Sequence, residues 1–146
     1  MSSYDPVAVA ESIATRLWTE HDREAIEEVF TDDVVYRDVA WGYTFTGRDG
    51  VRDYVDKVLG GIPDFTETIE DVLDIRPGTV VARWRYSGTF SSPRITQAFD
   101  LPGTSVITVR EDGLVSSNVD YYSANAFLAA LDWAYPTVES LATRER

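Results

Sequence analysis

The 146 residues are 44% apolar and 26% charged, enough for one core of ordinary size, and the chain reads as a single domain with its core at about 6–134 and a polar tail after it. With 25 acidic against 13 basic residues the net charge is −12, which repels phosphate backbones and anionic lipid, so neither nucleic acid nor membrane is expected as a partner. Cysteine is absent and His21 is the one histidine, which excludes disulfides, thiol nucleophiles, His-based triads and multi-histidine metal sites; no metal and no cofactor is expected.

Asp5 before Pro6 has the form of an N-cap and a first helical residue, and Val9, Ile13, Ala14, Leu17 and Trp18 follow at helical spacing, predicting a helix over 6–20. Asp22 would cap a shorter helix carrying Ala25, Ile26, Val29 and Phe30, stopped by Thr31, Asp32 and Asp33. From Val34 the period becomes two, and with Trp41–Thr46 this predicts a first hairpin. Gly47 to Gly50 read as a turn in which Asp49 caps a helix bearing Val51, Tyr54, Val55, Val58 and Leu59, ended by Gly60 and Gly61 ahead of Pro63.

Strands follow at Phe65–Ile75, Thr79–Phe90, Thr104–Val109 and Leu114–Tyr122, with turns at Arg76–Gly78 and Glu111–Gly113. The first of these sets Phe65, Ile69, Leu73 and Ile75 on one parity, and the last three read as a meander. Residues 91–103 read as a loop or a bulged strand start, and Asn125–Trp133 as a short closing helix. Helices followed by a long antiparallel sheet with one helix inserted imply an α+β layout in which a curved sheet wraps the helices and encloses a pocket. The terminal residues Met1–Asp5 show no basic segment leading into an apolar run, and no stretch of about 18 apolar residues occurs; a soluble, cytoplasmic protein is expected.

Five strings, FTDDVVYRDV (30–39), TGRDGVRDYV (46–55), IPDF (62–65), VVARWRYSGTF (80–90) and VREDGLVSSNVDYYS (109–123), resemble in order and spacing the SnoaL-like branch of the nuclear transport factor 2 superfamily, over about residues 8–133. The resemblance implies a cone-shaped α+β barrel with a deep apolar pocket, a homodimer formed through the outer face of the sheet, and a small hydrophobic ligand or substrate. The superfamily hosts polyketide cyclases, epoxide hydrolases, ketosteroid isomerases, dehydratases, pericyclases and proteins that only bind ligands, so the fold leaves the activity open.

The segment 113–122 is similar to the last strand of the SnoaL-like cyclases and the limonene-type epoxide hydrolases, in which the carboxylate at the position of Asp120 does acid/base work. Strand alternation puts Asn118 and Tyr122 on its side. A carboxylate in an apolar cavity is costly to ionise, so its pKa rises toward neutrality; the alternative is a salt-bridge partner closing the pocket. Arg83 and Arg85 share one parity, and one of them is expected to pair with Asp120; both extending to solvent is the other reading. Arg83 fits the arginine of the hydrolases, whereas Arg85 stands where their second aspartate would be, and a guanidinium cannot deliver that proton, although it could stabilise an oxyanion. Asp38 stands where ketosteroid isomerases keep their base, but the positions matching their oxyanion hole are Ala14 and Ser105, so a steroid-type isomerase is not expected. Asp38 would serve as a second acid or base, or hold a loop through Arg37 or the Trp41 segment.

Among many aromatics taken mostly as core or dimer-face residues, Trp18, Tyr36, Trp41 and Tyr43 are placed to line a pocket mouth, favouring a flat apolar ligand. His21 reads as a surface or turn residue, and the run Glu67, Glu70, Asp71, Asp74 as the solvated side of a strand rather than a metal site. No glycine-rich phosphate loop joins a strand to a helix. The leading expectation is a cofactor-independent acid/base enzyme that cyclises or isomerises a polyketide-like metabolite, with Asp120 as proton shuttle, Arg83 orienting it and Arg85 or Asn118 meeting negative charge. A pericyclase, an epoxide hydrolase or epoxide-opening cyclase, and a non-catalytic binding protein are the alternatives.

Overall fold

Asp5 caps the first helix, its Oδ1 accepting from the Val7 N–H at 2.9 Å, in a computed structural model that describes residues 4–130. The α-helical hydrogen-bond pattern holds only over α1, Pro6–Glu11. The predicted helix 6–20 is otherwise replaced by a π-helical segment, Ser12–Thr19, in which Ile13, Ala14, Leu17 and Trp18 are all buried. The wider turn ends with the Glu20 N–H on the Thr15 carbonyl at 2.8 Å, and His21 then adopts a left-handed φ of 57° that stops the helix. The His21 ring reaches across to the Phe65 carbonyl, Nε2 to O 2.8 Å, so it is a turn residue with a tertiary partner.

Helix α2 spans Ala25–Val29, and β1 spans Phe30–Asp38, four residues earlier than the alternation of apolar residues indicates. The acidic pair Asp32 and Asp33 faces outward while Phe30, Thr31 and Val34 are buried, so the strand starts on a bulge that hydropathy alone does not reveal. Strand β2 is Tyr43–Thr46, and α3 runs Gly47–Gly61, starting at Gly47 with Thr46 before it rather than at an Asp49 cap. The remaining strands are β3 Thr66–Arg76, β4 Thr79–Ser91, β5 Thr96–Val109 and β6 Val115–Tyr121, followed by α4, Ala124–Ala130. Residues 91–103 are thus mostly strand, closing a long β4–β5 hairpin through a short turn at 92–95. The part of the predicted closing helix beyond Ala130, and the polar tail, lie outside the described residues.

The six strands form one curved, open sheet in the order β2-β1-β6-β5-β4-β3, antiparallel except for the parallel pair β1–β6. The helices cover its concave face, giving an α+β fold whose sheet is open rather than a closed barrel. Even-numbered residues of β4 (Val80, Ala82, Trp84, Tyr86) point into the core, and Arg83 and Arg85 therefore point out. In β3 a register shift between Ile69 and Asp71 reverses the parity, so Glu67 and Ile69 face inward while Leu73 and Ile75 emerge on the outer side, 51% and 58% exposed. Gly103 sits directly opposite Trp84, and any Cβ there would run into the indole ring. No helix among the described residues is long and apolar enough to cross a membrane.

Candidate functional site

The concave side of the sheet and the covering helices leave a cavity of about 300 Å³. Trp18 from the π-helical segment, Trp41 and Tyr43 at the β1–β2 turn, Tyr54 of α3, Trp84 and Tyr86 of β4, and Phe127 of α4 supply its aromatic walls. Three carboxylic acids reach it from three strands: Asp38 (β1), Glu67 (β3) and Asp120 (β6), only 2%, 8% and 5% exposed.

Strand register sets the centre of the site. Asp120 pairs with Asp38 on the parallel strand β1 and with Ser105 on the antiparallel strand β5, so the three side chains line up across the sheet on its inner face. Asp120 Oδ1 accepts from Ser105 Oγ at 2.6 Å and from Asn118 Nδ2 at 2.7 Å, and Oδ2 accepts from the Tyr36 hydroxyl at 2.9 Å. Behind these donors stand two indoles, Trp84 donating to Ser105 Oγ at 2.7 Å and Trp18 to the Tyr36 oxygen at 3.3 Å. Burial pushes the Asp120 carboxyl up to about 6, further raised by the charge of Asp38, while its donors pull in the opposite direction without cancelling the shift.

Asp38 is held separately. Its Oδ2 accepts from the hydroxyls of Tyr54 and Tyr122, each at 2.5 Å, and its Oδ1 from the Trp41 N–H at 3.2 Å. Both readings of Asp38, cavity carboxylate and loop holder, therefore describe the same side chain. Burial drives the phenols of Tyr54 and Tyr122 well above their ordinary range, so both remain donors at any working pH.

Glu67 departs furthest from its expected place. Instead of facing solvent it lines the cavity, with its backbone clamped by Thr19, whose hydroxyl donates to the Glu67 carbonyl at 3.0 Å and accepts from its N–H at 3.1 Å. The carboxyl itself has no hydrogen-bond partner among the described residues, and burial together with the charge of Asp120 holds it well above the usual carboxylate range. Its shared parity with Phe65 and Ile69 was the available signal.

The family profile of the SnoaL-like domain matches residues 9–118. The chain belongs to the SnoaL-like family. No curated protein matches this SnoaL-like chain by sequence. Among solved structures it is similar to a protein of ketosteroid isomerase-like fold from Catenulispora acidiphila DSM 44928 in complex with trimethylamine, at 23% identity and TM-score 0.78 over 88% of this chain and 97% of that one. A protein named as a SnoaL-like polyketide cyclase from Jannaschia sp. CCS1 is 20% identical at TM-score 0.75, over 90% and 93%. A phenazine biosynthesis-related protein from Pseudomonas aeruginosa is 16% identical at TM-score 0.75, over 90% and 87%. At these identities the likeness establishes the fold.

Several expected site residues of the SnoaL-like chain take other places. Neither Arg83 nor Arg85 pairs with Asp120. Arg83 forms a bidentate pair with Asp71 on the outer face at 2.7 and 2.6 Å, and Arg85 bonds Asp100 there at 2.8 Å. The cause is the parity of β4, which turns Trp84 and Tyr86 inward. Asn118 and Tyr36, 0% and 1% exposed, do not line the cavity but stand behind Asp120 as donors. Trp18, Trp41, Tyr43 and Tyr122 line the cavity, and Ser105, at a position matching the oxyanion hole of the ketosteroid isomerases, is a direct partner of Asp120.

Proposed function

We propose that the chain is a cofactor-independent acid/base enzyme that cyclises or isomerises a small hydrophobic, polyketide-like metabolite, with Asp120 as proton carrier. The observation that carries this reading is the Asp120 carboxyl, buried in a cavity wall, held by hydroxyl and amide donors instead of a cation, and pushed up to about 6. Such a group is ionised enough at neutral pH to accept a proton and basic enough to hold it until it is returned. Family membership and neighbours named as polyketide cyclases support the reaction class.

On an enolisable ketone, the α-carbon's proton passes to Asp120, the C–H electron pair becomes the C=C bond of the enolate, and charge collects on the carbonyl oxygen. The hydroxyl of Tyr86, buried in the cavity wall and without a partner among the described residues, is the available donor to that oxygen. Where the enolate is conjugated with a second C=C bond, return of the proton from Asp120 to the far carbon completes an isomerisation; alternatively the enolate carbon attacks an internal carbonyl, whose π pair moves to its oxygen and takes the proton back from Asp120, closing a ring. The aromatic walls hold an apolar substrate in a folded conformation.

The test is α-proton exchange of β-tetralone in D2O, followed by proton NMR. The wild type should accelerate exchange, and Asp120→Asn should slow it by about 10²–10⁴-fold while tetralone still quenches tryptophan fluorescence. Equal acceleration by both proteins would remove Asp120 as the proton carrier, and exchange no faster than in buffer would leave a non-catalytic binding pocket.

The second reading is an epoxide-opening enzyme, favoured by the side-by-side Asp38 and Asp120. One carboxylate would take a proton from water as its oxygen attacks the epoxide carbon, and the second carboxyl would protonate the opened oxygen. Heavy oxygen from labelled water in the diol formed from styrene oxide selects this reading; its absence retains the first.

The same proposal includes a homodimer. Register aligns Leu73, Val81, Val106 and Val119 across four strands on the outer face, an apolar stripe opposite the cavity.

A further inference from the structure

The cavity carries an imbalance of charge that the acid/base reading leaves unused. Asp38, Glu67 and Asp120 line it, yet no arginine or lysine among the described residues is ion-paired with any of them. The arginines of β4 are engaged outside, and the cation on the cavity lining, Lys57, has its Nζ 5.0 Å from the centre of the Tyr43 ring. Glu67 and its register partner Tyr86 are 8% and 4% exposed; among the described residues the hydrogen bonds of Glu67 are made by its backbone, none by its carboxyl, and the Tyr86 hydroxyl has no partner. The three acids are not clustered as ligands for one metal ion. Around them the walls are aromatic, and aromatic faces attract organic cations in a desolvated site.

We propose that the cavity takes a ligand bearing a protonated amine on an apolar body, with the ammonium lodged at Glu67 on the side facing Asp120. An N–H of the ammonium supplies the hydrogen bond the Glu67 carboxylate lacks, and the surrounding rings cover the N-alkyl groups. This deepens the acid/base reading by naming the substrate's charge, and rests on it only in using the same cavity. The opposite way to relieve the imbalance is a neutral, protonated Glu67 that donates to a carbonyl oxygen. The two differ in sign with pH: an ammonium binds better as the carboxyls ionise, a carbonyl acceptor binds worse.

The experiment is isothermal titration calorimetry of the full chain with N,N-dimethylphenethylamine, cationic throughout, and N,N-dimethylphenylacetamide, an uncharged hydrogen-bond acceptor of similar shape. Around the cavity the other titratable groups are Asp38 from β1, Tyr43 from β2, Tyr54 and Lys57 from α3, Tyr86 from β4, Asp120 from β6 and Tyr122 just beyond it. Burial holds the phenols of Tyr54, Tyr86 and Tyr122 above their ordinary range, so they stay neutral, whereas the carboxyls of Glu67 and Asp120 are raised toward the range of the experiment. His21, bonded to the Phe65 carbonyl near Glu67, is controlled by His21→Asn.

At about pH 8 the amine should bind at least tenfold tighter than the amide, with the advantage shrinking toward about pH 5 and persisting in His21→Asn. Glu67→Gln should bring the amine down to the affinity of the amide. An amide that binds as tightly as the amine, an amine affinity that rises as pH falls, a trend that vanishes with His21→Asn, or an unchanged preference in Glu67→Gln overturns the proposal. The wild-type comparison needs no variant, and binding is read without turnover, so loss of tetralone exchange in Asp120→Asn and loss of amine preference remain separate outcomes.

Discussion

Asp38 and Asp120 are register partners on the parallel strands β1 and β6, and each carboxylate is satisfied by its own set of donors. Two acids side by side in an apolar cavity repel when both are ionised. Asp120, although held by two hydroxyls and an amide, is pushed up to about 6 by burial and by the charge of Asp38. That shift gives the site a carboxyl that exchanges protons near neutral pH.

The first prediction concerns stability and pH. Asp120 titrates near 6 in the folded protein and at the ordinary 3.8 in the unfolded chain, so between these values the native state holds a proton that the unfolded state has released. Raising pH through that window therefore removes stability, on the order of 3 kcal/mol in all from this group, and the loss is complete above it. Glu67 acts in the same sense, while the lowered carboxyls of Asp22, Asp64 and Asp71 act oppositely and below the window. Urea unfolding should give a free energy that declines from about pH 5 to about pH 7, with a shallower decline in Asp120→Asn. A wild type that gains stability over that range contradicts the assignment.

Removing a donor should move the proton-exchange profile. Tyr36→Phe deletes the hydroxyl that donates to Asp120 Oδ2, and Ser105→Ala deletes one that donates to Oδ1. Both stabilise the ionised form, so each loss raises the Asp120 pKa, by roughly half a unit to one unit, and shifts the acid limb of tetralone exchange to higher pH. A limb that stays in place, or moves down, would show that these hydroxyls do not tune Asp120.

The outward arginines provide a negative control. Arg83→Ala and Arg85→Ala break exposed ion pairs with Asp71 and Asp100, so each should change unfolding free energy by no more than about 1 kcal/mol and leave tetralone exchange at the wild-type rate. A drop of tenfold or more in either variant would return an arginine to the site.

The outer stripe predicts association. At micromolar concentration the wild type should sediment as a dimer, and Val106→Glu, which introduces a charge between Val81 and Val119, should sediment as a monomer that still binds tetralone. A monomeric wild type removes the dimer from the proposal.

The residues by themselves determined the class of fold and the richest part of the site. Hydrophobic period, turn residues and a run of matching strings place the helices before the sheet, and the alternation along 113–122 puts Asn118 and Asp120 on one face. Cysteine and histidine counts limit the chemistry to carboxylates, phenols, arginines and hydroxyls. The partners of those carboxylates were decided only by the tertiary structure. Which parity of β4 faces inward, where β3 bulges, and which residues stand opposite each other across β1, β6 and β5 are properties of strand pairing between segments far apart in sequence. A shift of one residue in that pairing exchanges the two faces of a strand. For that reason Arg83 and Arg85 take the solvent side, the second of the two places open to them, rather than a pairing with Asp120, and Glu67 lies in the interior rather than in solvent.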